Sequence, residues 1–156
     1  RLKKNKFTRI RIVRIGNHLV GFHKYHIRES EKKEYIPSPI LENSLKSIKD
    51  RIHHIFYIPT KYRVYYPLIE GSNNKPLPNA NWKALSFIAN KLKIPVTNLA
   101  PVFIQEAKKR YFENDQFIFW KDDNHWNVNG ITLTARVVCQ TIKELECAQK
   151  ANKAIP

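Results

Sequence analysis

Residues 117–130 read Phe-Ile-Phe-Trp-Lys-Asp-Asp-Asn-His-Trp-Asn-Val-Asn-Gly. The stretch opens with the strand-like run Phe117–Phe119, crosses a polar loop and enters the apolar run Ile131–Val138, which is typical of a helix. In open α/β sheets, ligands bind beyond the carboxyl ends of the strands. We therefore expect the functional site in this loop.

Outward from this stretch, helix-like and strand-like segments alternate. Four segments carry apolar residues at helical spacing: about 40–53, 82–92, 102–112 and 129–148. Two short apolar runs predict buried strands: 55–58 and 94–99. Residues 62–69 are expected to be extended or to form a loop. The alternation predicts an α/β fold with a parallel sheet flanked by helices.

The N-terminal part of the chain permits two interpretations. Ile10 and Ile12 alternate with arginines as in a strand, and Gly16-Asn17 could turn a hairpin, but a basic amphipathic helix fits nearly as well. Residues 29–39 are charged and end in prolines, as in a linker. Three regions are therefore predicted: a basic N-terminal segment and linker over 1–39, an α/β portion over 40–148, and a C-terminal tail over 149–156.

Composition limits the possible functions. The 156 residues suit one domain, and 28 Lys and Arg against 13 Asp and Glu give a net charge of +15. Such a charge favours an anionic polymer or a membrane surface as partner. Nucleic acid is an unlikely partner, because no nucleic-acid-binding motif accompanies the charge. No cofactor or metal is predicted, since the chain has no glycine-rich phosphate loop and its histidines lack the spacing of a structural zinc site.

The polar loop places His125 two residues after Asp123 and three after Asp122. A histidine acts as a general base only when its tautomer and orientation are fixed, and in hydrolytic triads a carboxylate on the other ring nitrogen does this. On a tight loop, either aspartate could fold back onto the imidazole. Asn127 or Asn129 can cap the helix that follows. The alternative interpretation is an ordinary polar turn on the surface.

Three ordered pieces of the chain carry a family resemblance: Ile58-Pro-Thr-Lys61-Tyr-Arg-Val-Tyr-Tyr-Pro, Leu92-Lys-Ile-Pro-Val-Thr-Asn-Leu99 and Asp122-Asp123-Asn-His125-Trp126-Asn127-x-x-Gly130. Together they resemble the Ser-Gly-Asn-His (SGNH, or GDSL-like) hydrolase superfamily. The likeness is greatest to the bacterial polysaccharide O-acetyltransferase-like domains of the alginate O-acetylation type. This resemblance implies an SGNH or flavodoxin-like sheet and serine-mediated acyl transfer.

The resemblance also implies roles for single residues. His125 would be the general base. Asp122 has the common Asp-x-x-His spacing, whereas the acetyltransferase branch often has Asp-x-His-Trp, which selects Asp123; Asp122 is narrowly favoured. Trp126 would shape the pocket wall. Lys61 is grouped with Trp126 as a candidate substrate-binding residue, although the resemblance assigns it no chemistry.

The nucleophile and the oxyanion donors of that family lie in Gly-Asp-Ser, Gly and Asn blocks whose patterns the sequence does not contain. The chain also starts at Arg1 and has no methionine. These observations predict an incomplete domain, whose partner is a serine-bearing segment of the same parent protein, before Arg1 or after Pro156.

The predicted function is therefore the Asp/His-bearing, C-terminal portion of an SGNH-type esterase or O-acyltransferase. By resemblance, it would act on an acylated carbohydrate or cell-envelope polymer in the bacterial cell envelope or periplasm. The alternatives are a non-catalytic SGNH-like domain that binds polysaccharide or a protein partner and, less favoured, a basic nucleic-acid-binding module.

Overall fold

The computed structural model describes residues 9–72 and 76–153. Its strands and helices follow in chain order: β1 (Ile10–Ile15), β2 (His18–His23), α1 (Lys24–Glu31), α2 (Pro39–Ile48), β3 (Ile55–Tyr57), α3 (Lys61–Tyr65), α4 (Ala80–Lys91), β4 (Val96–Asn98), α5 (Ala100–Asn114) and α6 (Val128–Lys153). Short 3-10 turns follow α2 at Lys49–Arg51 and α3 at Tyr66–Leu68. Within these residues, no helix combines the length and apolarity that crossing a membrane requires.

The first two strands form an antiparallel hairpin, with Ile12 opposite Gly21 and Ile15 opposite His18. Gly16 turns the chain with φ of +52°, a backbone angle that glycine adopts without steric strain. The hairpin interpretation is confirmed and the amphipathic-helix alternative is wrong. Helix α1 follows β2 directly, so Glu29–Glu31 are helical and the irregular stretch begins only at Lys32.

The parallel sheet is small. Strands β3 and β4 pair in parallel, with Ile55 opposite Val96 and Tyr57 opposite Asn98, and helices flank them. This arrangement confirms the predicted α/β class with a parallel sheet flanked by helices.

The third predicted strand, Phe117–Phe119, does not join this sheet. All three side chains are buried, but only Phe119 forms a bridge, antiparallel to Trp126. The reason is local: the backbone N–H of Asn127 donates to the Ile118 carbonyl (3.3 Å), and the Asn127 side chain donates to the Phe117 carbonyl (2.7 Å). The chain that follows thus uses acceptors that a neighbouring strand would otherwise use.

Residues 62–69 are expected to be extended or a loop, but residues 62–68 are helical and only Ile69 is not. The Thr60 hydroxyl caps α3 by accepting from the backbone N–H of Arg63 (3.3 Å), and the 3-10 turn continues the segment. Every residue of α3 is buried. A cap and a fully buried position therefore decide the structure of a segment too short for a periodic pattern.

One hydrophobic core includes the N-terminal hairpin. Ile15, Val20 and Phe22 on its inner face pack with Tyr65 and Phe103, which belong to the region predicted as a separate α/β portion. The boundary between 39 and 40 stays a prediction, but the buried side chains on its two sides belong to the same cluster. Helix α6 continues to Lys153, into the predicted C-terminal tail.

Candidate functional site

His125 and Asp123 form a hydrogen-bonded pair on the loop between Phe119 and α6. Nδ1 of the imidazole lies 2.7 Å from Oδ1 of Asp123. Because an ionised carboxylate only accepts hydrogen bonds, the ring donates its Nδ1 proton. The side chain of His125 is 84% exposed, so Nε2 is open to solvent and available to accept a proton.

The same Asp123 oxygen also binds the backbone. It accepts from the N–H groups of Asn124 (2.5 Å) and His125 (3.2 Å). Slight desolvation raises the pKa of Asp123, but the hydrogen bonds from the His125 ring and from these two N–H groups outweigh it and hold the pKa below its usual value. Asp123 is therefore ionised at neutral pH, as an imidazole-orienting carboxylate must be.

Asp122 does not contact the ring, although its spacing made it the favoured partner. The structure makes no hydrogen bond between the carboxylate of Asp122 and His125, both of which lie in the described range 76–153. Asp122 instead lines a surface groove beside Ile10 and Ile12 of β1. The narrow preference for Asp122 is thus wrong for this contact, because the turn from Asp123 to His125 is tight enough to bring residues two apart together.

The loop that carries the pair is closed at its base. The N–H of Trp120 donates to the His125 carbonyl (3.1 Å), so the chain turns back on itself between them. The side-chain oxygen of Asn127 accepts from the N–H groups of Asn129 (3.0 Å) and Gly130 (3.2 Å), which makes Asn127 the cap of α6. The predicted capping role of Asn127 is confirmed.

Gly130 permits the close approach of α6 to the base of the loop. A Cβ atom at this position would lie 2.2 Å from the Ile118 carbonyl oxygen and 3.1 Å from Cβ of Trp126. Because the first contact is with backbone, no side-chain rotation relieves it. The glycine of the motif is thus required by packing.

Lys61, predicted as a substrate-binding candidate, lies inside the protein. It is 1% exposed, and its Nζ donates to the carbonyls of Gly21 (2.8 Å), Lys121 (3.0 Å) and Asp123 (2.9 Å). Burial lowers the pKa of Lys61 to about 8, while Asp122 and Asp123 act in the opposite direction. An ammonium with all three protons donated inward does not reach a substrate, so the substrate-binding prediction for Lys61 does not fit this geometry.

One turn later on α3, Tyr65 binds the segment that precedes the loop. Its hydroxyl accepts from the backbone N–H of Ile118 (2.8 Å), and the residue is fully buried.

Because Lys61 lies shortly after the end of β3 and holds the loop, the Asp123–His125 pair sits near the carboxyl end of a parallel strand. That is the place where α/β folds bind ligands.

Trp126 is partly buried, with its ring centroid 5.9 Å from that of Phe103 in the core. This packing anchors the residue next to His125. Its role as a pocket wall stays a prediction.

A second imidazole–carboxylate pair lies elsewhere in the molecule. His18 Nε2 is 2.7 Å from Oδ1 of Asp115, and Nδ1 of the same ring is 3.5 Å from Nζ of Lys121. Both ring nitrogens of His18 thus have partners, whereas in His125 Nδ1 binds Asp123 and Nε2 is open to solvent. This pair ties the hairpin to the end of α5 and has no nitrogen free for proton transfer.

Sequence reasoning missed the role of the backbone in building the site. The three carbonyls that bind Lys61 carry no side-chain signature. The spacing of Lys61 and Tyr65, four residues apart on what proves to be a helix, was the only available signal. Within residues 9–72 and 76–153, no group of three or more His, Cys, Asp or Glu side chains is disposed to hold a metal ion.

The arrangement has the features that a general base needs: an exposed Nε2, a tautomer set by an ionised acid, and a loop fixed to the core. Neither a curated protein nor a solved structure matches the chain significantly. The family described as an SGNH hydrolase-like domain, acetyltransferase AlgX, matches residues 51–155, more than half of the chain. The chain therefore belongs to this SGNH hydrolase-like family.

Proposed function

We propose that the chain supplies the Asp–His part of a serine-dependent acyl-transfer site, as an SGNH-type esterase or O-acyltransferase. Asp123 holds the Nδ1 proton of His125, and Nε2 acts as the general base. The observation that carries the proposal is the 2.7 Å contact between Nδ1 and Oδ1 on a ring whose side chain is 84% exposed. Membership of an SGNH hydrolase-like family supports it.

The proposed reaction proceeds in two halves. A serine hydroxyl from another segment of the same protein attacks the acyl carbonyl, and Nε2 of His125 takes the hydroxyl proton. The tetrahedral intermediate collapses to an acyl-serine, and the imidazolium returns the proton to the departing alcohol. Attack by water or by a sugar hydroxyl on the acyl-serine, with the same proton movements, completes hydrolysis or transfer.

The proposed substrate is an acylated carbohydrate or cell-envelope polymer, and the proposed location is the bacterial cell envelope or periplasm, in keeping with the family. The net charge of +15 suits an anionic polymer or membrane face as the surface on which the protein works. Binding of such a polymer without catalysis is the competing function, and the experiment below separates the two.

The test measures hydrolysis of an acetylated chromogenic ester by the complete protein that contains these residues. We expect His125→Ala to lower kcat by roughly three or more orders of magnitude, since the base of a triad is removed. Asp123→Asn should lower kcat by roughly two or more orders, because the ring loses its fixed tautomer. Asp122→Asn is the matched control and should change kcat by less than about threefold, as expected for a carboxylate that does not touch the ring.

Because the pair is exposed, none of these variants should shift the unfolding midpoint much. Unchanged turnover in His125→Ala, with the fold intact, would contradict a catalytic role and leave the binding alternative. Equal effects of the two aspartate variants would contradict the assignment of Asp123.

A further inference from the structure

We propose that Lys61 is the positioning residue of the acyl-transfer site: its buried ammonium holds the backbone of the loop so that the Asp123 carboxylate meets the His125 ring. The inference rests on the proposed function, because it assigns Lys61 a purpose in that same site. Lys61 touches neither substrate nor reacting atoms in this account, and it acts through Asp123.

Asp123 is held at both ends: its carbonyl accepts from Lys61 Nζ at 2.9 Å, and its carboxylate accepts from His125 Nδ1 at 2.7 Å. The carbonyl of Lys121, two residues earlier, accepts from the same ammonium at 3.0 Å. Two fixed carbonyls in a three-residue stretch leave the Asp123 side chain little freedom to leave the ring.

The loop is also attached to strand β2. The Lys121 carbonyl also accepts from the backbone N–H of Gly21 (2.8 Å), and the Gly21 carbonyl accepts from Lys61 (2.8 Å). Strand β2, helix α3 and the catalytic loop therefore meet at one cation.

Burial of the Lys61 ammonium costs free energy. Lys61 is 1% exposed and lies 5.2 Å from the ring centroid of Phe22, and burial lowers its pKa to about 8. Buried charges are weak contributors to stability, and apolar residues of similar volume often serve as well. The three N–H groups of Lys61 donate to three backbone carbonyls and so fix the path of a loop that has no regular structure. An apolar side chain has no donors and could not do this.

Tyr65 completes the attachment from the same helix. It lies four residues after Lys61, which places both side chains on one face of α3, and it accepts from the Ile118 N–H at 2.8 Å. Helix α3 thus holds the chain before the loop through Tyr65 and within the loop through Lys61.

The experiment reads the His125 tautomer by ¹⁵N NMR of the imidazole nitrogens, in this chain, at a pH where the ring is neutral. His125→Gln assigns the signals by removing them. In the unsubstituted chain we expect the Nδ1–H tautomer to dominate. In Lys61→Met, which keeps the length of the side chain but removes its donors, that preference should be lost. Lys83→Met, at an exposed lysine of α4, is the matched control and should leave the tautomer unchanged.

A second readout uses the complete protein and the acetylated ester. Lys61→Met should lower kcat by roughly 10- to 100-fold with KM changed less than about twofold, because a misplaced base slows chemistry without weakening binding. An unaltered tautomer and an unaltered kcat in folded Lys61→Met would overturn the proposal.

If Lys61→Met does not fold, Lys61→Arg replaces it, since a planar guanidinium keeps the charge but cannot direct three donors as an ammonium does. Loss of the Nδ1–H preference in folded Lys61→Arg supports the proposal, and its retention overturns it. The two proposals fail separately. If His125→Ala stays active while the tautomer depends on Lys61, the catalytic function is wrong. If His125→Ala is inactive while Lys61→Met leaves the His125 tautomer unchanged, only the positioning role is wrong.

Discussion

Gly130 lies where two general rules for a helical glycine predict opposite effects of substitution. In a helix interior, replacing glycine by alanine normally stabilises by about 0.8–1 kcal/mol, since alanine loses less backbone entropy. Here the added Cβ would lie 2.2 Å from a backbone carbonyl oxygen, and overpacking of this kind costs about 1–3 kcal/mol. The steric cost is the larger, so it decides the sign.

We therefore expect Gly130→Ala to lower the free energy of unfolding by about 1–3 kcal/mol in urea denaturation. Val128→Ala, an exposed position in the same first turn of α6, is the control and should change it by less than about 0.5 kcal/mol. A more stable Gly130→Ala would mean that α6 is not held against Ile118.

At the scale of single residues, local spacing predicted the capping role of Asn127 and a contact between His125 and a neighbouring aspartate, and the structure has both. The sequence narrowly favoured Asp122 over Asp123, although both lie within reach of a tight turn. That choice depends on which oxygen also meets the N–H groups of Asn124 and His125, a matter of backbone angles. The sequence also made Lys61 a substrate-binding candidate, although its side chain is buried; this burial was not foreseen because lysine is almost never fully buried.

At the scale of elements, α1 and α3 are helices that the apolar spacing did not predict, and α3 is the one that holds the candidate site. Its five residues are fewer than two helical turns, so no periodicity can identify it, and its valine and tyrosines favour strands. The longer helices α4, α5 and α6 were predicted from their apolar spacing. Phe117–Phe119 was predicted to be a strand because it is apolar and aromatic. Its carbonyls instead accept hydrogen bonds from Asn127, at the end of the loop that follows.

Helix α3 should also determine how the protein responds to alkaline pH. Burial raises the pKa of Tyr65 to about 12, and burial together with the Glu31 carboxylate raises that of Tyr62 to about 12. In an unfolded chain, the pKa of tyrosine is about 10. The folded state therefore keeps protons that the unfolded state releases, and the stabilisation present below pH 10 is lost as pH rises towards 12.

Lys61 acts in the opposite sense, since its pKa is lowered in the folded protein to about 8. The unfolded chain binds more protons than the folded chain from about pH 8 to about 10.5, so in that range its contribution to stability rises with pH. Above about pH 10.5, Lys61 is deprotonated in both states, whereas the raised pKa values of Tyr62 and Tyr65 still favour unfolding as the pH rises. We expect alkaline unfolding between about pH 10 and 12.

The measurement is tyrosinate absorbance followed together with circular dichroism during an alkaline titration. Part of the tyrosinate signal should appear only with unfolding, and Tyr65→Phe should reduce that late part. Tyr25→Phe removes an exposed tyrosine and should leave the late part intact. A single ionisation step completed before any loss of structure would show that α3 is not buried.

At the scale of the whole molecule, the N-terminal hairpin belongs to the body that carries the site. It contributes Ile15, Val20 and Phe22 to the shared core, and through the Gly21 carbonyl it binds the ammonium that also holds the loop. A composition-based boundary after residue 39 could not detect this, since the basic outer face of the hairpin dominates its composition. The α/β class itself was predictable, because it depends only on the order of apolar segments.

Phe22 tests whether hairpin and site unfold together. It is 1% exposed, and truncation of a buried phenylalanine costs about 3–5 kcal/mol. The three tryptophans, Trp82, Trp120 and Trp126, all lie beyond residue 39, so their fluorescence reports on the other side of the proposed boundary. If the core is one cooperative unit, Phe22→Ala should lower the urea midpoint of the tryptophan transition by the amount that corresponds to the whole loss in the free energy of unfolding. Leu19→Ala, 64% exposed on the same strand, should leave that midpoint nearly unchanged. If Phe22→Ala leaves the tryptophan-monitored midpoint unchanged, the hairpin unfolds by itself. The hydrogen bond between Gly21 and the loop that precedes α6 would then add nothing to the rigidity of the candidate site.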